Sequence, residues 1–260
     1  MKNLLLTITV TMAISAPLRA AVVSEQVTYQ DGDTQLIGHI YYDDGSSKKR
    51  PGVLVVHEWW GLDDYAKKRA TMLAELGYVA FAADMYGAGK VTEHPDEAKE
   101  WMMVNAANVP GWRKRAELAL QQLKLHPMTD VDKTAAIGYC FGGATVVELA
   151  YSGADLDGVA SFHGSLPLPI EGETPDLKAS LLLFHGYADP FVEKPHVALF
   201  KEGLTALEAD WEMVEYGGVM HSFTNPAADQ HGMPALKYDA IADQRSWAQL
   251  QVFFAEIFAD

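Results

Sequence analysis

The run from Gly52 to His57, GVLVVH, has no polar side to turn toward water. Bounded by Pro51 and Gly61, it reads as a strand covered on both faces, the mark of a parallel sheet rather than a half-solvated antiparallel one. Short runs of the same kind recur at Tyr78 to Ala83, Thr134 to Tyr139, Gly158 to His163, Ser180 to His185 and Asp210 to Tyr216, after an amino-terminal pair at Gln26 to Tyr29 and Thr34 to Tyr42. Helical stretches separate them. One runs from Asp63 to Leu76 and ends at Gly77, where glycine takes the left-handed capping conformation. Another, Gly111 to Leu125, stops before Pro127, and others span Phe141 to Ser152, Lys194 to Leu207 and Tyr238 to Phe258. Strand-helix alternation on this scale predicts an α/β chain with a mostly parallel central sheet and helices on both faces. In such sheets the ligand site lies beyond the carboxyl ends of the strands.

The 260 residues, 49% apolar and 21% charged, suffice for a full core. No repeat, low-complexity tract or Pro/Gly/Ser linker divides them, so residues 21–260 read as one domain. Residues 1–20 have Lys2, an apolar stretch from Leu4 to Ala16, then Pro17 and the small residue Ala20, the order of a secretory signal peptide. The alternative, a membrane anchor, is disfavoured by Thr7, Thr9, Thr11 and Ser15 and by the shortness of the run. Export to the periplasm or outside is the expectation. Thirty-five Asp and Glu against twenty Lys and Arg give a formal charge of -15, and loss of Lys2 and Arg19 leaves the remainder more acidic still. That field argues against nucleic-acid and anionic-lipid partners and leaves a small molecule as the expected one. With the single cysteine Cys140 there is no intramolecular disulfide and no Cys-Cys metal cluster.

Cys140 lies in Gly138-Tyr139-Cys140-Phe141-Gly142, a G-x-C-x-G at the end of a predicted strand and the start of a predicted helix. This is the nucleophile-elbow pattern with cysteine in place of serine, in which a strained turn exposes the nucleophile at a helix amino terminus that favours thiolate. The competing reading is a buried structural cysteine beside packing glycines. A nucleophile needs a base and an acid to orient it, in the chain order nucleophile, acid, histidine. Asp189, in HGYADP, and His221, in GGVMHSF, follow later predicted strands in that order. A turn aspartate and a loop histidine are the plain alternatives. His57, His163 and His185 also end predicted strands, and are read as supporting or packing residues. Donors for the oxyanion are expected from the amides of Phe141 and of Trp59, the latter in the H-E-W-W-G loop from His57 to Gly61. His57-Glu58 lacks the second histidine of a zinc motif, His94 with Glu97 is a weak pair, and Gly142-Gly143 is no nucleotide loop. Neither a metal nor a cofactor is expected.

Taken together, H-E-W-W-G after the third strand, D-M-Y-G after the fourth, G-Y-C-F-G-G at the elbow, H-G-Y-A-D-P around the acid and H-S-F around the base resemble the dienelactone hydrolase family of α/β-hydrolases, over nearly the whole chain after residue 20. The resemblance implies the α/β-hydrolase fold, Cys140 as nucleophile, His221 as base, Asp189 as its orienting acid, and Glu58 as a glutamate that contacts the resting thiol and assists its deprotonation. From its own sequence context Glu58 passes equally as a solvated loop residue. Dienelactone hydrolase itself grips a substrate carboxylate with two arginines. Ala88 and Asn225 stand at the matching positions, with Lys90 nearby as an imperfect substitute for a planar guanidinium. Trp59, Trp60, Trp101 and Trp112 instead suggest an apolar pocket, core packing being the equal alternative for Trp101 and Trp112. The expected activity is cofactor-free cleavage of a small ester, lactone or thioester through a thioacyl enzyme. The rival is a thiol redox or binding protein without turnover on the same fold.

Overall fold

The computed structural model describes residues 21–259; the expected signal sequence lies outside them. Strands β1 (Val22–Asp31) and β2 (Thr34–Asp43) form an antiparallel hairpin in unbroken register, from Val22 opposite Asp43 to Asp31 opposite Thr34. The others are β3 (Arg50–Val56), β4 (Val79–Ala83), β5 (Thr129–Tyr139), β6 (Gly158–Phe162), β7 (Ser180–Gly186) and β8 (Trp211–Tyr216). They join the hairpin in one eight-stranded sheet of order β1-β2-β4-β3-β5-β6-β7-β8. β2 meets β4 antiparallel, and every pairing from β4 to β8 is parallel.

The helices are α1 (Asp64–Glu75), α2 (Pro95–Ala106), α3 (Val109–Leu125), α4 (Phe141–Tyr151), α5 (Lys194–Ala206) and α6 (Ala240–Ile257). Side chains alternate between the two faces of a strand. Accordingly Leu54 and Val56 of β3 join one core with Leu120 of α3, Val146 of α4 and Phe200 of α5, while Val53 and Val55 join the opposite core with Leu73 of α1 and Leu250 of α6. All four β3 side chains are fully buried, worth roughly 1.5–3 kcal/mol each, so a polar substitution in this run would be among the most damaging to the fold.

The expected strands and the helices after them are present. What the sequence did not disclose is α2, inside the segment 85–111. Its sequence PDEAKEWMMVNA has a charged first half and an apolar second half rather than a one-sided stripe, so no helical period stands out. Pro95 at its first turn and acidic Asp96 and Glu97 beside it are nevertheless favourable helix-start residues.

From β3 the chain runs to β4 on one side and then to β5 on the other, so the topological switch point lies between β3 and β5. Glu58 follows β3, Cys140 follows β5, His163 follows β6, Asp189 follows β7 and His221 follows β8. The topology therefore gathers these five residues at one end of the sheet.

Candidate active site

At the β5–α4 junction Cys140 has φ 54° and ψ -113°, outside the regions L-residues favour. The flanking glycines explain how the turn is tolerated. A Cβ on Gly138 would lie 1.9 Å from the Gly142 carbonyl oxygen, and one on Gly142 would lie 2.2 Å from that of Val56. Any larger residue would have to push the helix off the strand. The Cys140 N–H is shared between the Phe162 carbonyl at 3.0 Å and Nδ1 of His163 at 3.1 Å. Strain of this sort, about 1–3 kcal/mol, persists only where surrounding bonds enforce it.

His221 is buried between Cys140 and Asp189. Its Nδ1 donates to Oδ2 of Asp189 at 2.6 Å, and the other oxygen of Asp189 accepts the Phe191 amide at 2.9 Å. Burial alone would depress the imidazole. The Cys140 sulfur facing it and a hydrogen bond to Asp189 outweigh that, as does a hydrogen bond to Cys140 itself, and hold His221 well above the ordinary imidazole range. A thiol, a base and an orienting acid are thus in contact, an arrangement able to add sulfur to a carbonyl carbon.

The amide of Phe141, first in α4, has no intrahelical partner. The Trp59 amide is likewise without a protein acceptor among the described residues. Both residues line one cavity of about 290 Å³ together with Cys140 and His221. The two residues expected to supply the oxyanion donors therefore line the same cavity as the thiol.

Glu58 departs from the expectation. It is buried, but its carboxylate accepts from the Ser222 hydroxyl and from the Asn225 amide, each at 2.6 Å, rather than from the Cys140 thiol. Burial pushes its pKa up to about 7, a rise that the Ser222 and Asn225 hydrogen bonds reduce without cancelling and to which Asp63 adds. Attraction to His221 lowers it too, again without cancelling the effect of burial. Asn225, at the position of one family arginine, is thereby engaged with Glu58, while Ala88 and Lys90 are exposed and outside the cavity lining. The Lys90 ammonium sits over Trp101 instead, 5.5 Å from the ring centre.

The cavity wall is apolar: Trp59, Met102, Ala106, Trp112, Phe191 and Leu236 contribute most of its character. Of the four tryptophans proposed for it, Trp59 and Trp112 line it. Trp112 stacks on Phe141 at 5.2 Å and donates to the Thr145 hydroxyl. Trp60 is buried against His231, and Trp101 packs on Tyr86. The sequence offered no signal for Met102 and Ala106 of α2, nor for Ser165, Pro167 and Leu236 in loops, because each reaches the cavity only through tertiary packing. His163 is buried, accepting from Cys140 and bonding the Thr224 hydroxyl at 2.7 Å; burial and His221 hold it well below the ordinary range. His57 bonds two backbone groups, and His185 is buried with an unpartnered Nδ1. Among the described residues no cluster of three or more His, Cys, Asp or Glu is placed to hold a metal, and no helix is long and apolar enough to cross a membrane.

The profile of the dienelactone hydrolase family matches residues 38–258. Protein usf of Aquifex pyrophilus is 29% identical over 211 residues, covering 79% of this chain and 88% of that protein. Carboxymethylenebutenolidase of Pseudomonas putida is 24% identical over 235 residues, covering 86% and 94% respectively. Among solved structures, a dienelactone hydrolase-like promiscuous phosphotriesterase from metagenomic libraries superposes with TM-score 0.89 at 40% identity, covering 92% of this chain and all of the other. The chain belongs to the dienelactone hydrolase family, with the α/β-hydrolase fold.

Proposed function

We propose that this chain is a cysteine hydrolase of uncharged small-molecule esters or lactones. The observation that carries the reading is that Cys140 and His221, the latter hydrogen-bonded to Asp189, open onto one cavity whose wall bears no Lys, Arg, Asp or Glu. In the cycle His221 takes the thiol proton and Cys140 sulfur attacks the carbonyl carbon. The Phe141 and Trp59 amides hold the oxyanion until His221 returns the proton to the leaving alkoxide. Water, deprotonated by His221, then attacks the thioester carbonyl. The acid departs and sulfur recovers its proton. A redox thiol would use neither the acid, the base nor the amide pair, so their presence favours hydrolysis over the redox or binding alternative.

Incubating the protein with an activated neutral ester, quenching and weighing the Cys140 peptide tests this directly. An acyl adduct that decays at the turnover rate is expected, and turnover with no adduct would refute the thioacyl route. A neutral phosphotriester is a second substrate class, favoured by the 40% identical phosphotriesterase and by the same lack of wall charge. Release of the aryl alcohol from an aryl dialkyl phosphate tests it. Export is also proposed, from residues 1–20. Amino-terminal sequencing of protein from its native host should begin near Ala21, and cytosolic protein beginning at Met1 would refute it.

A further inference from the structure

His57 is the first residue past β3 and is fully buried, and both of its ring nitrogens are engaged. Nε2 accepts the Met85 backbone N–H at 3.2 Å, so in the neutral ring the proton sits on Nδ1. Nδ1 donates it to the Glu58 carbonyl at 2.5 Å. Burial keeps the ring below the usual imidazole range, against the opposing pull of the Glu58 hydrogen bond and of Asp84. A neutral ring is what lets Nε2 remain an acceptor for Met85.

The Glu58 carbonyl shares its peptide plane with the Trp59 amide. The described residues contain no cis peptide, and in a trans peptide C=O and N–H point in opposite directions. Fastening the carbonyl to His57, the shorter of its two bonds beside that from the Gly61 N–H at 3.4 Å, therefore turns the Trp59 N–H away from His57. Trp59 lines the cavity beside Cys140 and Phe141. The same imidazole stacks on the Phe141 ring at 6.0 Å, next to the second amide donor. Beneath it, a Cβ on Gly142 would lie 2.2 Å from the Val56 oxygen and 2.6 Å from the His57 oxygen, so the loop bearing one donor and the helix bearing the other meet at His57 backbone to backbone.

We propose that His57 is a positioning residue that aims the Trp59 amide and fixes its spacing from that of Phe141, so that the pair fits a tetrahedral oxyanion. The inference rests on the hydrolase reading above. It assigns work to a histidine that never touches the reacting atoms and never changes protonation.

The test compares wild type with His57→Leu, His57→Asn and His57→Gln in three measurements. They are turnover of a neutral 4-nitrophenyl ester, inhibition by an aldehyde of the same acyl group, which adds Cys140 sulfur to give a tetrahedral thiohemiacetal, and alkylation of Cys140 by iodoacetamide, which displaces iodide without forming an oxyanion. His57→Leu should lower kcat by about 100-fold or more with KM within about 3-fold, and weaken the aldehyde in parallel. Alkylation should stay within about 3-fold of wild type, because the thiol and its base are untouched. The amide nitrogen of Asn overlays Nδ1, so His57→Asn should recover about 10-fold or more of the loss; His57→Gln, whose nitrogen reaches the Nε2 position, should not. Should His57→Leu fail to fold, the Asn and Gln pair decides. Normal kcat in the variants, or alkylation falling in step with turnover, would overturn the proposal. Absence of turnover in wild type would overturn the hydrolase reading and this inference with it, whereas active wild type with unaffected variants overturns the inference alone.

Discussion

Among the carboxylates buried at the carboxyl end of the sheet, Asp189 after β7 and Glu58 after β3 have surroundings that differ in kind. Asp189 faces an imidazole on one oxygen and a backbone amide on the other. Glu58 accepts its hydrogen bonds from neutral donors, Ser222 and Asn225, feels His221 only as a weaker attraction, and is raised by burial to about 7. The β7–β8 side is thus built to stabilise a charge pair. The β3 side buries an acid that is hydrogen-bonded to no cation. A buried charge is tolerated where a partner is present and titrates toward neutrality where it is not. The comparison sets the proposed base and its orienting acid on one side, and on the other the proposed Trp59 donor beside an acid that costs stability.

The largest effect should come from breaking the charged side at its centre. Cys140→Ala and His221→Ala are each expected to lower kcat/KM by about 10⁴-fold or more with the fold retained, and the double variant should be no worse than either, since the two act as one unit. Circular dichroism alongside ester kinetics checks this, and near-normal turnover by purified Cys140→Ala sinks the mechanism. Asp189→Asn retains the shape but not the charge that orients His221, and should cost about 10³-fold in kcat. Glu58→Gln should cost no more than about 10-fold, because the proposed reaction gives Glu58 no proton to carry. If the two substitutions prove equally damaging, the contrast between the two sides is wrong and Glu58 belongs to the chemistry.

A smaller effect separates substrates. With Asn225 committed to Glu58 and Lys90 to Trp101, the wall offers a substrate carboxylate no cationic partner. A neutral ester should be preferred over a matched one bearing a carboxylate by about 100-fold in kcat/KM, the scale of a few kcal/mol of unpaired desolvation. Measuring both on one enzyme preparation decides it, and a preference for the anionic ester would mean that a cation enters the cavity during binding.

How much of this the sequence disclosed follows from the range of the interactions involved. The elbow was legible because its requirement is local: the turn has no room for a Cβ at Gly138 or Gly142, two residues either side of Cys140. The placement of Asp189 and His221 at strand ends was legible because short apolar runs mark where a parallel strand stops, and both sit just past one. The partners of Glu58 were not, since Ser222 and Asn225 lie more than 160 residues away in the chain and nothing in H-E-W-W-G names them. The cavity-lining role of α2 was hidden for a related reason. Met102 and Ala106 carry no chemical signature, and only the packing of α2 beside Trp112 of α3 makes them a wall.

The smallest effect bears on stability and isolates the uncompensated side. Glu58 titrates near 7 in the folded protein, against 4.5 for the ordinary group. An acid whose folded pKa is raised binds more protons folded than unfolded. Its contribution to stability is therefore fully present below about pH 4.5 and is lost as pH rises through about 7. The difference between the two values corresponds to a loss on the order of 3 kcal/mol, roughly 6–12 °C in Tm for a chain of this length. The buried imidazoles of His57, His163 and His185, all held below their ordinary range, work in the opposite direction and lose stability as pH falls through that range. The wild-type curve alone mixes the two. The difference between Glu58→Gln and wild type cancels the histidines, since Gln retains an oxygen for Asn225 and an amide for the Ser222 oxygen. That difference should move in favour of the variant between pH 5 and pH 8 by several degrees, as read by thermal unfolding at matched ionic strength. A flat difference across that range would mean that Glu58 stays charged throughout, and that a cationic partner or water reaches it after all.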